Sequence, residues 1–206
     1  MTKNLLFVTA NKHNKVELFE TAFNESNFLH LTEIQRPDKT DNKISECSFG
    51  KEHFSYADEF FKKCISRRLS ENDIAFSSDG KTVLKLSVLP LAVNKNLSAK
   101  MFAYYKNSKP VLYTERLLGR TRACLGFVKA KENNTYVPNT MLNQDIQTLA
   151  ENYNRVIAVY QKNIKDKEYR ENVYSAKKME ISNYTFPEEY CYLKAIEKNL
   201  QSENYN

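Results

Sequence analysis

Leu5-Leu6-Phe7-Val8-Thr9-Ala10-Asn11-Lys12-His13-Asn14-Lys15-Val16-Glu17-Leu18-Phe19 carries the change of pattern on which the reading of the fold turns. The apolar run from Leu5 to Val8 predicts a strand over residues 3–9. Val16, Phe19, Ala22 and Phe23 fall at helical spacing and predict a helix over 14–24. Between them lies a polar loop. A strand that feeds a polar loop at a helix N-terminus turns backbone N–H groups and the positive end of the helix dipole toward an anion. Thr9, Asn11, Lys12 and Lys15 add donors matched to phosphate oxygens, so the loop points to a phosphorylated ligand. The same Thr and Asn would also serve as a plain helix cap.

The chain of 206 residues is long enough for one α/β domain with a full core, and it is read as a single domain over 1–206. No apolar run reaches the ~20 residues of a membrane span, and no signal-peptide pattern opens the chain, so a cytoplasmic location is expected. Cys47, Cys64, Cys124 and Cys191 form no CxxC pair, which argues against a zinc site or a disulfide framework. They are expected to be reduced and mostly buried. His13, His30 and His53 show no ligand spacing. With four glycines in the whole chain, neither a GxGxxG nor a Walker loop can be assembled. The net charge of +6 and the pI near 9.0 invite a nucleic-acid reading. However, the 31 basic residues are interleaved with 25 acidic ones, and a phosphate-bearing small molecule accounts for that balance equally well.

Further along, Phe28 to Ile34 is a strand candidate, and Gln35 to Gly50 reads as a loop. Apolar residues at 54, 57, 60, 61, 64, 65 and 69 predict a long helix from His53 to Leu69. Ile74 to Ser78 and Thr82 to Val88 read as a hairpin turning at Asp79-Gly80. Leu97 to Tyr105 and Val111 to Leu118 read as helical, and Arg120 to Lys129 as a strand with Ala123, Leu125 and Phe127 on one face. Between Leu142 and Tyr160 the spacing fits a helix, whereas the β-branched Val156, Ile157 and Val159 fit a strand, so residues 155–161 stay open. A last helix starts at Pro187 and buries Leu193, Ile196 and Leu200, with a frayed tail after Gln201. The element order predicts an α/β protein with a mixed sheet.

Phe7-Val8-Thr9-Ala10-Asn11 with Lys15-Val16-Glu17, Asp58-Glu59-Phe60-Phe61-Lys62-Lys63-Cys64, Ser98-Ala99-Lys100, Arg120-Thr121-Arg122-Ala123 and Ala176 to Tyr184 occur in an order that resembles the inosine triphosphate pyrophosphatase family. That family cleaves non-canonical purine nucleoside triphosphates such as ITP and dITP to monophosphate and pyrophosphate. The resemblance implies a twisted mixed sheet with flanking helices, in two lobes around a central nucleotide cleft. It also implies nucleotide contacts from Thr9, Asn11, Lys12, Lys15, Lys63, Ser78, Asp79, Lys100, Lys178, Ser182, Asn183 and Tyr184.

The departures fall where that family does chemistry. Its acidic pair stands here as Ser77-Ser78-Asp79-Gly80, leaving Asp79 as the one carboxylate at the hairpin. A serine is no general base near neutral pH, and loss of the base removes roughly 10²- to 10⁴-fold of rate. The resemblance therefore implies a catalytically impaired sensor of an ITP-like or dITP-like nucleotide. It would form a homodimer and signal to an effector protein, as in anti-phage defence. The alternative enzyme reading rebuilds a Mg²⁺ site from Asp79, Asp58 and either Glu46 or Glu52 around the triphosphate. A third reading, supported by charge, is a nucleic-acid-binding module. The sensor reading treats nucleic acid as an improbable partner.

Overall fold

The computed structural model describes residues 3–34, 51–92, 94, 96–97, 99–106, 112–130, 135–177 and 179–196, with side chains 26, 51–56, 91 and 92 left aside. The apolar opening run forms β1 (Lys3–Ala10), as its pattern predicts. The segment after it is a second strand, β2 (Val16–Ala22), and not a helix. Phe19 points into one apolar cluster while Val16 and Leu18 border another, so both faces of β2 are apolar. A strand buried on both faces loses its alternation, and its residues then also satisfy helical spacing.

The other strands are β3 (Met101–Tyr104), β4 (Arg116–Gly119), β5 (Cys124–Lys129), β6 (Tyr136–Leu142), β7 (Tyr153–Asn163) and β8 (Glu171–Ser175). Their order is β1-β2-β6-β5-β4-β3-β7-β8, and β1 also pairs with β7. The sheet is mixed, as expected, but seven of its strands return on themselves as a ring, with β8 appended to β7. Closure gives each of those seven strands a neighbour on both sides, although β2 and β6 touch through one residue pair only. Every pairing is antiparallel except β2 with β6, which meet in parallel at Thr21 and Tyr136.

Phe7, Phe19, Phe102, Leu118, Leu125, Phe127 and Val156 fill the inside of the ring. The Phe19 ring lies 4.9 Å from Phe102, 5.3 Å from Phe127 and 4.9 Å from Tyr136, at the separations favoured by tilted aromatic pairs. On the outer side of β1 and β7, Leu6, Val8, Ile157 and Tyr160 are covered by Tyr169, Ile181, Tyr184, Phe186 and Leu193. Helices α1 (Glu25–Thr32) and α3 (Lys81–Ala92) pack on β6 and lend Leu31 and Val88 to the inner core. Helix α2 (Lys51–Ile65) packs on α1 through Ala57 and Phe60.

Several local expectations are corrected by this packing. Phe28 to Ile34 belongs largely to α1, not to a strand. The Asp79-Gly80 turn forms, with Gly80 at φ 75°, but it leads into α3, where Thr82, Lys85 and Val88 at three-residue spacing are buried. Leu97 to Tyr105 and Val111 to Leu118 supply the four-residue strands β3 and β4 instead of helices. Met101 and Ala103 are buried on the face opposite Phe102, and again two apolar faces imitate a helix.

Residues 155–161 are strand, because β7 is held by β1, β3 and β8, and helix survives only as α4 (Ile146–Leu149), capped by Asp145. The last segment is a 3-10 turn at Glu188–Tyr190 and a helical turn over 193–196, with Leu193 buried. Burial pushes the Cys124 thiol up to about 12, while Cys64 is half-buried and Cys191 exposed, so among the described residues the expectation of mostly buried thiols holds for Cys124 alone. The expected loop from Gln35 to Gly50, with Cys47, and the tail from Leu200 onward lie outside the described residues. No helix among the described residues is long and apolar enough to cross a membrane.

Candidate active site

The antiparallel pairings bring the ends of β1, β3 and β5 and the starts of β2, β4, β6 and β7 to one rim of the ring. Each inward row of side chains is apolar in the middle and polar at that rim. Phe19 is preceded by Glu17, Phe102 is followed by Tyr104, Leu118 is preceded by Arg116, and Val156 is preceded by Asn154. The strand period of two places each polar residue on the same side as its apolar neighbour. Five polar side chains therefore gather above the Phe19 and Phe102 rings, with Tyr136 as the fifth.

Glu17 is the centre of this cluster. Its Oε1 accepts a hydrogen bond from the Tyr104 hydroxyl, and its Oε2 accepts one from Asn154 Nδ2 at 3.0 Å. The buried Thr9 hydroxyl donates to the Glu17 carbonyl at 3.0 Å and ties β2 to β1 beneath the carboxylate. The Arg116 guanidinium lies 3.9 Å from the centroid of the Tyr104 ring and 5.4 Å from that of Tyr136, which orients it by cation–π attraction. It donates a hydrogen bond to the Glu115 carbonyl at 3.2 Å, and among the described residues it joins no ion pair. A carboxylate and a cation whose charge is not spent on a carboxylate thus meet the same phenol, Tyr104, at one rim of the ring.

Burial, followed by the hydrogen bond to Glu17, pushes the Tyr104 phenol up to about 12. Neutral Tyr104 therefore favours the folded state below pH ~10, the ordinary tyrosine range, and that contribution disappears as pH rises through about 12. Tyr169, Tyr190 and Tyr192 shift in the same direction. Denaturant titrations between pH 9 and 12 should show stability falling with pH, and Tyr104→Phe should make that fall shallower. An unchanged slope in the variant would exclude the inferred burial of this phenol.

Two grooves flank the cluster. One, of about 350 Å³, is bounded by Tyr104, Tyr105, Tyr113 and Arg116. The other, of about 420 Å³, lies beside the β1–β2 turn and is bounded by Asn11, Lys12, Asn14, Tyr153, Arg155 and Met179.

The residues singled out in the sequence do not converge on one groove. The Thr9 to Lys15 segment is a hairpin turn, with Asn14 at φ 60°, and no helix begins there. Asn11 Oδ1 accepts from the backbone N–H groups of His13 and Lys15 at 2.9 and 3.0 Å, so those donors close the turn. Lys12 and Lys15 are exposed near the rim. Lys63 sits on α2, where Asp73 at 2.7 Å and Glu59 at 3.6 Å hold its charge. Asp79 pairs with Lys81 and accepts from Ser77 Oγ, while Ser78 is exposed on the same turn. These contacts hold the Asp79 carboxyl well below the usual range.

Lys100 bonds the Tyr174 hydroxyl at 2.7 Å. Ser182 and Asn183 are exposed on a 3-10 turn, whereas Tyr184 is buried in the outer core and presents no ring for stacking. Asp58 is half-buried on α2. Glu46, Lys178, Ser98 and the side chain of Glu52 lie outside the described residues. Among the described residues no three His, Cys, Asp or Glu side chains are grouped to hold a metal ion.

The model of one protein family, PBECR4, described as phage-Barnase-EndoU-ColicinE5/D-RelE like nuclease4, matches residues 1–178. The chain belongs to this nuclease family. Membership of PBECR4 overturns the resemblance to inosine triphosphate pyrophosphatases. With it go the impaired ITP or dITP sensor, its signalling to an effector and the exclusion of nucleic acid as a partner. The nucleic-acid reading drawn from charge agrees better with a nuclease family. No curated protein and no solved structure matches the chain.

Tyr104, Arg116, Tyr136 and Asn154 were not singled out in the sequence, and Glu17 entered only within the Lys15-Val16-Glu17 match, with no role of its own. Their signal is a polar residue two places from a core aromatic or aliphatic residue, repeated on several strands. It becomes visible only when those segments are read as strands.

Proposed function

We propose that this chain is a ribonuclease whose reaction takes place at the rim of the strand ring, on the Glu17, Tyr104 and Arg116 cluster. The observation that carries this reading is the Glu17 carboxylate, doubly hydrogen-bonded by Tyr104 and Asn154, with the Arg116 guanidinium stacked on the same Tyr104. Membership of a nuclease family and the net charge of +6 support it.

The cluster offers one carboxylate, and RNA carries its own nucleophile in the 2′-hydroxyl. Glu17 accepts the 2′-hydroxyl proton as the 2′-oxygen forms a bond to phosphorus. Arg116 faces the negative charge that gathers on the phosphoryl oxygens. The bond from phosphorus to the 5′-oxygen breaks, and that oxygen takes a proton from the Tyr104 hydroxyl, a phenol that stays neutral up to about 12. Glu17, then protonated, returns the proton to Tyr104 along their hydrogen bond. The products are a 2′,3′-cyclic phosphate and a free 5′-hydroxyl. Exposed Lys12, Lys15 and Arg155 around the opening attract the flanking phosphates.

The test is to incubate the full chain with a mixed-sequence RNA and with its all-deoxy counterpart, in the presence and absence of a chelator. Cleavage of RNA alone, insensitive to the chelator and leaving cyclic phosphate ends, is the expected outcome. Cleavage of both polymers, or of neither, would refute a mechanism that relies on the 2′-hydroxyl.

A further inference from the structure

The groove beyond Arg116 contains a feature that the cleavage chemistry leaves unused. Tyr113 is 86% exposed, yet the backbone that carries it is firmly held. Asn139 Nδ2 donates to the Tyr113 carbonyl, and Asn139 Oδ1 accepts from the Thr114 hydroxyl at 3.1 Å. Two residues on, the Glu115 N–H donates to the Phe127 carbonyl at 2.9 Å. Thr114 itself is buried and packs against Gly126, where a Cβ would come within 2.7 Å of the Thr114 hydroxyl oxygen. Only a residue without a side chain allows the Tyr113 segment to lie this close to β5.

An aromatic ring presented to water on a rigid support contributes little to folding, but it is preorganised for a planar ligand. Tyr113 shares its groove with Arg116, the group placed to meet the scissile phosphate, and with Tyr104, which is 45% exposed. Because Arg116 and Tyr113 line the same groove, a base next to a phosphate held by Arg116 would have room beside the Tyr113 ring. A base inside a duplex is already stacked on its neighbours and cannot also stack on Tyr113 without leaving the helix. An unpaired base has a free face. We propose that Tyr113 stacks on an unpaired base next to the cleaved phosphate, so that the chain selects single-stranded RNA. This rests on the ribonuclease reading of the rim.

The experiment uses the full chain with Glu17→Gln, which slows turnover enough for binding to be read first, and fluorescence anisotropy with a labelled single strand of about ten nucleotides and with a duplex of the same sequence. The single strand should bind at least about tenfold more tightly than the duplex. Adding Tyr113→Ala should weaken single-strand binding by roughly ten- to a hundred-fold and leave duplex binding unchanged, whereas Tyr113→Trp should preserve it. In the chain with Glu17 intact, Tyr113→Ala should raise KM for single strands by a similar factor with little effect on kcat.

Equal affinity of the Tyr113→Ala and parent proteins, or equal loss for both polymers, overturns the stacking site. If that variant also cleaves RNA with an unchanged KM, the ribonuclease reading stands alone. Binding that depends on Tyr113 in a chain that cleaves nothing retains the stacking site and removes the cleavage mechanism. Absence of RNA binding removes both.

Discussion

Glu17→Gln should lower RNA cleavage by about 10²- to 10⁴-fold, the usual contribution of a positioned general base. Glutamine has the same shape as glutamate and still offers a carbonyl oxygen to the Tyr104 hydroxyl. It cannot take up the 2′-hydroxyl proton. Asn154 can rotate its amide so that its oxygen meets the new NH₂ group, and the local hydrogen bonds then survive. Stability should consequently change by no more than about 1 kcal/mol in denaturant titrations, because Glu17 is only partly buried. Single-strand binding should persist, so the defect should appear in kcat. A rate equal to that of the parent protein would exclude Glu17 as the base and would leave the cluster without a proton acceptor.

Removal of the guanidinium has the second largest expected effect. Arg116→Ala should reduce cleavage by roughly 10²- to 10³-fold, as expected when a preorganised group facing developing negative charge is lost. Arg116→Lys should recover only part of that rate. A lysine restores one positive charge but not the planar fork, which stacks over Tyr104 and can meet two phosphoryl oxygens together. Binding of single-stranded RNA should become less salt-sensitive in Arg116→Ala, the slope of log K against log salt falling by about 0.7 for one lost phosphate contact. The alanine variant also loses its cation–π contacts with Tyr104 and Tyr136, an effect of about 0.5 to 1 kcal/mol at a site open to solvent. Full activity in both variants would show that Arg116 does not face the reacting phosphate.

Both expectations depend on residues whose meaning is set by where strands end. Glu17 in isolation reads as a polar position on the solvent side of a helix. It becomes the centre of a site because β2 is a strand, Phe19 points inward, and the residue two places earlier must then stand on the same face at the rim. Tyr104, Arg116 and Asn154 reach the opening by the same rule from β3, β4 and β7. Their distances in sequence from Glu17 carry no hint of contact.

Some of the molecule is legible from local chemistry. The apolar run of β1, the amphipathic α2, the Asp79-Gly80 turn and the alternating Leu125 and Phe127 of β5 all appear where pattern places them. Helix α2 has one apolar and one polar face, the turn carries a glycine with its own conformational preference, and β1 and β5 announce themselves by an unbroken apolar run and by Leu125 and Phe127 two places apart, features that short-range pattern records directly. The mixed α/β character and the basic charge balance follow from the sequence in the same way.

The ring of strands is decided by tertiary packing. β2, β3 and β7 are covered on both faces, by the aromatic core inside and by separate apolar clusters outside, so their sequences lose the alternation that marks a strand. Only long-range pairing of β1 with β7 and of β2 with β6 closes the ring and sets its register. That register brings a carboxylate, a phenol, an amide and a guanidinium from four separate strands into one opening, a convergence governed by three-dimensional neighbours that no local spacing encodes.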